Sequence, residues 1–277
     1  MAQFVNGFMQ DADMKNLARD ASTSAPAEKK TVAGPVKNRD RPSGSTLAMS
    51  VQYTQTQVID VSEQVLRENK LAALFEDSPA AEQYKILRTQ IFHKIKGQEL
   101  NTIMVTSPGS GEGKSLTAAN LAISLAKDAV HTAMLVDADF YTPAVQKIFG
   151  LSLDKGLAHC LVRGIPISDI LVNPGINRLT LLPGSPDMLP EVSEAAGAPE
   201  MKALINEIKN RYDDRLIVFD APPVLEKADA LILSQLVGGV ILVVEQGRTQ
   251  KKQVTKALGL LKNANLLGVV LNNKADN

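Results

Sequence analysis

The stretch Ser107-Pro108-Gly109-Ser110-Gly111-Glu112-Gly113-Lys114-Ser115 has the composition of a loop that surrounds an anion. Glycine at 109, 111 and 113 lets the backbone turn its N–H groups inward. A cradle running through Gly109, Ser110, Gly111, Glu112, Gly113, Lys114, Ser115 and Leu116 would hold phosphate oxygens, and the helix that opens at Gly113-Lys114-Ser115 adds its dipole. In such a loop Lys114 reaches the β- and γ-phosphates of ATP, and the Ser115 hydroxyl holds Mg²⁺. The strict G-x-x-x-x-G-K-[ST] pattern places glycine at 108, where this chain has Pro108; the strand before the loop and the helix after it restore the context. Two further groups of acids could complete the chemistry. Val136-Asp137-Ala138-Asp139 sets two carboxylates at a strand end, one able to act as base and the other to order Mg²⁺-bound water. Leu216-Ile217-Val218-Phe219-Asp220 is an apolar run closed by an aspartate that would reach the same metal through water.

These residues need a scaffold that brings three strand ends together. From Asn101 onward, short runs of Val, Ile and Leu alternate with helical patterns. Strands are predicted over 102–106, 132–136, 178–182, 216–219, 240–244 and 266–271. Helices are predicted over 114–127, 157–162, 167–171, 200–212, 228–236 and 251–261. Nearly continuous apolar strands belong to sheets buried on both faces, so the expected fold is α/β, a three-layer P-loop NTPase sheet, mostly parallel, with helices on both sides. Ligands of such sheets bind beyond the C-terminal ends of the strands, where all three motifs fall. Before the first strand, Ser78-Pro79 starts a helix with Ala80, Ala81, Tyr84, Leu87, Ile91 and Ile95 at helical spacing. The segment from Ala21 to Thr46 is rich in Ala, Ser, Pro, Gly and Lys and has no period, so residues 1–62 read as a flexible tail and 63–277 as the folded domain.

Composition narrows the setting. Lys plus Arg and Asp plus Glu are equal at 30 each, which removes a global basic excess as a reason to expect nucleic acid. A single cysteine, Cys160, excludes an intrachain disulfide, and with no signal-like start this fits a reducing cytoplasm. No run approaches the roughly 18–20 apolar residues of a membrane span. His93, His131 and His159 have no zinc-ligand spacing with Cys160, which reads as a core residue. The loop from Gly184 to Glu194 follows a strand and so could lie on the phosphate side.

The three motifs, in this order, resemble those of the bacterial tyrosine kinases of exopolysaccharide and capsule synthesis, within the MinD/ParA-like class of P-loop ATPases. The resemblance spans roughly Leu66 to Asn273. The helix segment Glu82-Gln83-Tyr84-Lys85-Ile86-Leu87-Arg88 is similar to that family's Glu-x-x-Arg-x-x-Arg oligomerisation motif, with Lys85 in the first arginine position. Asp229-Ala230, Gly247-Arg248-Thr249 and Gly268 to Asn272 match related segments. The resemblance implies ATP and Mg²⁺ as cofactors, Lys114, Asp137 and Asp139 as catalytic residues, Ser115, Asp137 and Asp220 as metal ligands, and Asn272 facing the nucleotide base. It also implies a homo-oligomer built through the Glu82–Arg88 helix and a membrane-spanning polysaccharide co-polymerase as adaptor, which would hold the kinase at the inner face of the plasma membrane. Two departures stand out. An arginine usually stands two residues after the second aspartate, where this chain has Tyr141. A C-terminal tyrosine cluster is usual, whereas the tyrosines here are four, Tyr53, Tyr84, Tyr141 and Tyr212, with Tyr53 the acceptor favoured by mobility. The alternative is a MinD/ParA-like switch ATPase in which Asp139 positions water. The absence of a lysine between Thr106 and Lys114 favours the kinase.

Overall fold

The computed structural model describes residues 56–98, 100–185, 192, 199–211 and 214–272. Its strands are β1 (Gln57–Val58), β2 (Thr102–Thr106), β3 (Thr132–Asp137), β4 (Val172–Asn173), β5 (Leu179–Leu182), β6 (Arg215–Asp220), β7 (Gly239–Glu245) and β8 (Leu266–Asn272). They form one sheet in the order β1-β4-β5-β3-β6-β2-β7-β8, parallel throughout except for the β4–β5 pair. Side chains alternate across a strand. Met104, Met134, Val136, Ile217, Phe219, Val240 and Leu242 therefore join one apolar cluster, while Ile103, Val105, Ala133, Leu135, Leu216, Val218, Ile241 and Val243 join a second. Each cluster is roofed by helices, which is why the strands are nearly continuous runs of apolar residues.

The described helices are α1 (Glu63–Glu68), α2 (Pro79–Ile95), α3 (Lys114–Ala126), α4 (Val145–Ile148), α5 (Leu157–Arg163), α6 (Pro199–Asn210), α7 (Ala228–Ser234) and α8 (Lys251–Leu260). Tyr84, Leu87 and Ile91 of α2 and Leu121, Ile123 and Leu125 of α3 cover one face of the sheet, together with Leu66 of α1. Met201, Leu204, Ile205 and Ile208 of α6, Leu233 of α7 and Ala257 of α8 cover the other. Cys160 of α5 lies buried in that second layer, where burial pushes its thiol up to about 12.

The predicted strands and helices all recur within a few residues, except that 167–171 contracts to a single 3-10 turn at Ile167–Asp169. In the segment read as the tail, Gln57–Val58 pair with Val172–Asn173, and the Ser62 hydroxyl caps α1 by accepting from Val65 N–H at 3.4 Å. Tyr53, Tyr212 and Glu194 lie outside the described residues. No helix among the described residues is long and apolar enough to cross a membrane.

Candidate active site

β2 lies between β6 and β7, and β3 lies on the far side of β6. The chain leaves β2 through the glycine loop and enters α3 at Lys114, with Gly113 at φ +91° and Gly111 at φ +80°. Both are left-handed conformations that favour glycine. A Cβ on Gly113 would also stand 2.2 Å from Asn272 Nδ2. The first intrahelical bond of α3 runs from Thr117 N–H to Gly113 C=O at 2.9 Å, which leaves the N–H groups of Lys114, Ser115 and Leu116 for a ligand.

Asp137 and Asp220 are opposed residues on neighbouring parallel strands, and with Asp139 they are wholly buried. Lys114 is the cation among them. Its Nζ lies 2.7 Å from Asp139 Oδ2 and 3.4 Å from Asp220 Oδ1, and it donates to Ser115 Oγ at 3.2 Å. Burial opposes the lysine's charge, but Asp220 and Asp139 outweigh it and hold the ammonium above its ordinary value. Asp139 is oriented by Tyr141 N–H (3.2 Å), Thr142 N–H (3.0 Å) and the Thr142 hydroxyl (3.0 Å). Burial would raise it, yet Lys114 and these donors keep it below the ordinary carboxylate value.

Asp137 differs. Its Oδ2 accepts from the N–H groups of Ala144 and Val145, each at 2.9 Å, at the start of α4. Burial, then the neighbouring Asp220, raises it well above the ordinary value. Asp220 is also raised, by burial that Lys114 offsets only in part, and its Oδ2 has no hydrogen-bond partner among the described residues. Gly184 makes room for this group: a Cβ there would stand 3.0 Å from Asp137 Cγ.

Hard oxygen donors with an unpartnered buried carboxylate oxygen fit Mg²⁺. No group of three or more His, Cys, Asp or Glu among the described residues is placed to hold a metal alone. That too suits Mg²⁺, which is usually held by one or two carboxylates together with phosphate oxygens and water.

Several braces around the loop are invisible in the sequence. Glu226 accepts from Ser110 N–H at 2.9 Å and from the Ser110 hydroxyl at 2.7 Å. Arg248 donates to Gly111 C=O at 3.1 Å and pairs with Glu245 at 3.0 Å. Thr249 donates to Glu112 Oε1 at 2.7 Å. Asn272, expected at the nucleotide base, donates its Nδ2 to Glu112 C=O at 3.0 Å and so supports the loop. Of these, Arg248, Thr249 and Asn272 fall in segments that carry the family resemblance. In the expected assembly helix, Glu82 and Lys85 form an exposed pair at 3.2 Å, but Arg88 turns inward to Ser124 C=O at 2.6 Å.

Residues 100–264 match the family described as AAA domain. The chain is similar to tyrosine-protein kinase YwqD of Bacillus subtilis (strain 168), at 34% identity over 211 residues that cover 76% of this chain and 87% of that protein. Among solved structures, the chimerical protein CapA2B2 superposes with a TM-score of 0.67 at 28% identity, covering 80% of this chain and 94% of that one. The septum site-determining protein MinD from Pyrococcus horikoshii OT3, complexed with Mg-ADP, is similar in fold, with a TM-score of 0.53 at 22% identity over 61% of this chain and 69% of that one.

Proposed function

The chain belongs to the bacterial tyrosine-protein kinase family, and from that premise we propose that it transfers the γ-phosphoryl group of ATP to a tyrosine hydroxyl, as an autokinase regulating exopolysaccharide polymerisation and export. The observation that carries this reading is the placement of Lys114 at the mouth of the phosphate loop, between Asp139 at 2.7 Å and Asp220 at 3.4 Å.

The loop N–H groups from Gly109 to Leu116 would surround the phosphates, and Ser115, Asp137 and Asp220 would hold Mg²⁺. When bound, Mg²⁺ supplies charge neutralisation and alignment of the phosphate oxygens. Lys114 must exchange Asp139 for a phosphate oxygen as the nucleotide enters. That exchange strips Asp139 of its counter-ion while Tyr141 N–H, Thr142 N–H and the Thr142 hydroxyl keep the carboxylate aimed. A carboxylate that loses an adjacent cation becomes more basic. Asp139 is then poised to take the proton of the acceptor hydroxyl, while the buried Asp137–Asp220 pair favours a divalent cation because the two like charges repel.

Partners follow from the same reading: a homo-oligomer assembled through α2, and a membrane-spanning polysaccharide co-polymerase that brings the kinase to the inner face of the plasma membrane. Tyr84 is buried, which leaves Tyr53, Tyr141 and Tyr212 as acceptors within this chain. The test is incubation with γ-labelled ATP and Mg²⁺, with Lys114→Met as control. Label on tyrosine, lost in the control, is expected. Free phosphate with no labelled tyrosine on this chain or on an added family substrate would favour the MinD-like switch ATPase.

A further inference from the structure

Residues 223–227 are strapped along the phosphate loop. Val224 N–H donates to Ser107 C=O at 2.8 Å and Leu225 N–H to Pro108 C=O at 3.3 Å, and Glu226 holds Ser110 through two bonds. The next side chain, Lys227, reaches from this strap to the segment that follows β3, where its Nζ lies 3.7 Å from the centre of the Tyr141 ring. Tyr141 is itself tied by its N–H to Asp139, the carboxylate that pairs with Lys114. The strap and Tyr141 thus bracket the mouth of the site, with a cation between them.

Among the described residues Lys227 forms no salt bridge; the aromatic face is what holds its ammonium. A cation–π contact at a partly exposed site is weak, whereas an ammonium on a phosphate oxygen makes a charge-assisted hydrogen bond. The lysine stem is flexible and its anchor on the strap is fixed. Charge balance points the same way. The cleft gathers Asp137, Asp139 and Asp220 around Lys114, so even with Mg²⁺ bound an arriving nucleotide triphosphate gains from a further cation.

We propose that Lys227 is a second γ-phosphate-binding cation, parked on the Tyr141 ring until the terminal phosphate draws it away. The inference rests on the reading above that the loop holds ATP. It assigns Lys227 to discrimination between tri- and diphosphate, because the terminal phosphate is the group that only the triphosphate carries.

The test is isothermal titration of the full chain with Mg²⁺ and either ATP or ADP, for the unaltered protein, Lys227→Met and Lys227→Arg. Lys227→Met is expected to lose about tenfold in ATP affinity, as for one charged hydrogen bond, with ADP affinity within about twofold, and Lys227→Arg to recover most of the loss. Equal losses for ATP and ADP would mean that Lys227 only braces the strap, and no loss for either would mean that it meets no phosphate; each result overturns the inference. If the unaltered chain binds neither nucleotide, the ATP reading fails first and this one with it.

Discussion

Asp137 and Asp220 stand side by side with no exposure to water, and this arrangement has a cost that depends on pH. The folded state raises Asp137 from 3.8 to about 8, chiefly by burial and then by repulsion from Asp220. The folded protein therefore holds a proton that the unfolded chain releases. The stability this confers is complete below 3.8 and is lost as pH climbs toward about 8. Asp139 has the opposite sign, and its contribution is lost only in stronger acid. Without nucleotide the melting temperature should fall between about pH 5 and about pH 8. Asp137→Asn keeps an acceptor for the Ala144 and Val145 N–H groups while removing the charge. Thermal melts across that range should show a flatter curve and a more stable variant near pH 8. Phosphorylation by the same variant should fall by about 10²-fold or more. A curve as steep as that of the unaltered protein would place the titration elsewhere.

At the scale of elements, α3 is both the floor of the phosphate site and the platform for everything N-terminal to the sheet. Asn120 accepts from Ala73 N–H at 2.8 Å and donates to Lys70 C=O at 3.1 Å, fixing the link between α1 and α2. Ser124 donates to Tyr84 C=O at 3.1 Å, and Arg88 closes the circuit on Ser124 C=O. Asn120→Ala leaves Ala73 N–H without its partner in a buried setting, at a cost of about 1–3 kcal/mol, measurable as a lower denaturant midpoint. Much of this layer was legible in sequence, because α2 and α3 carry long helical periods and the strands are nearly continuous runs of apolar residues. β1 and β4 were not, since two residues carry no period. The four residues of α4 were missed for the same reason. Lys114, Asp137, Asp139 and Asp220 could be read from local spacing. Glu226 could not, because its contact with Ser110 joins positions 116 residues apart.

For the whole molecule, the sheet separates two surfaces with different tasks. α2 lies on one side, with Glu82 and Lys85 paired in solvent. An exposed ion pair contributes about 0–1 kcal/mol to folding. Replacing both by alanine should therefore leave the melting temperature nearly unchanged while lowering the sedimentation coefficient, if α2 is the assembly face. An unchanged coefficient would move the interface elsewhere. The order of the strands also governs when the pocket can exist. β2 carries the phosphate loop, but both of its neighbours, β6 and β7, come from the far half of the chain. Pairings between segments so distant in sequence form slowly, after the loop-closure entropy has been met. During synthesis, the Lys114 segment therefore waits as an unpaired strand and helix until Asp220 has been made. A chain halted earlier contains every residue of the phosphate loop and still has no wall against which to close it.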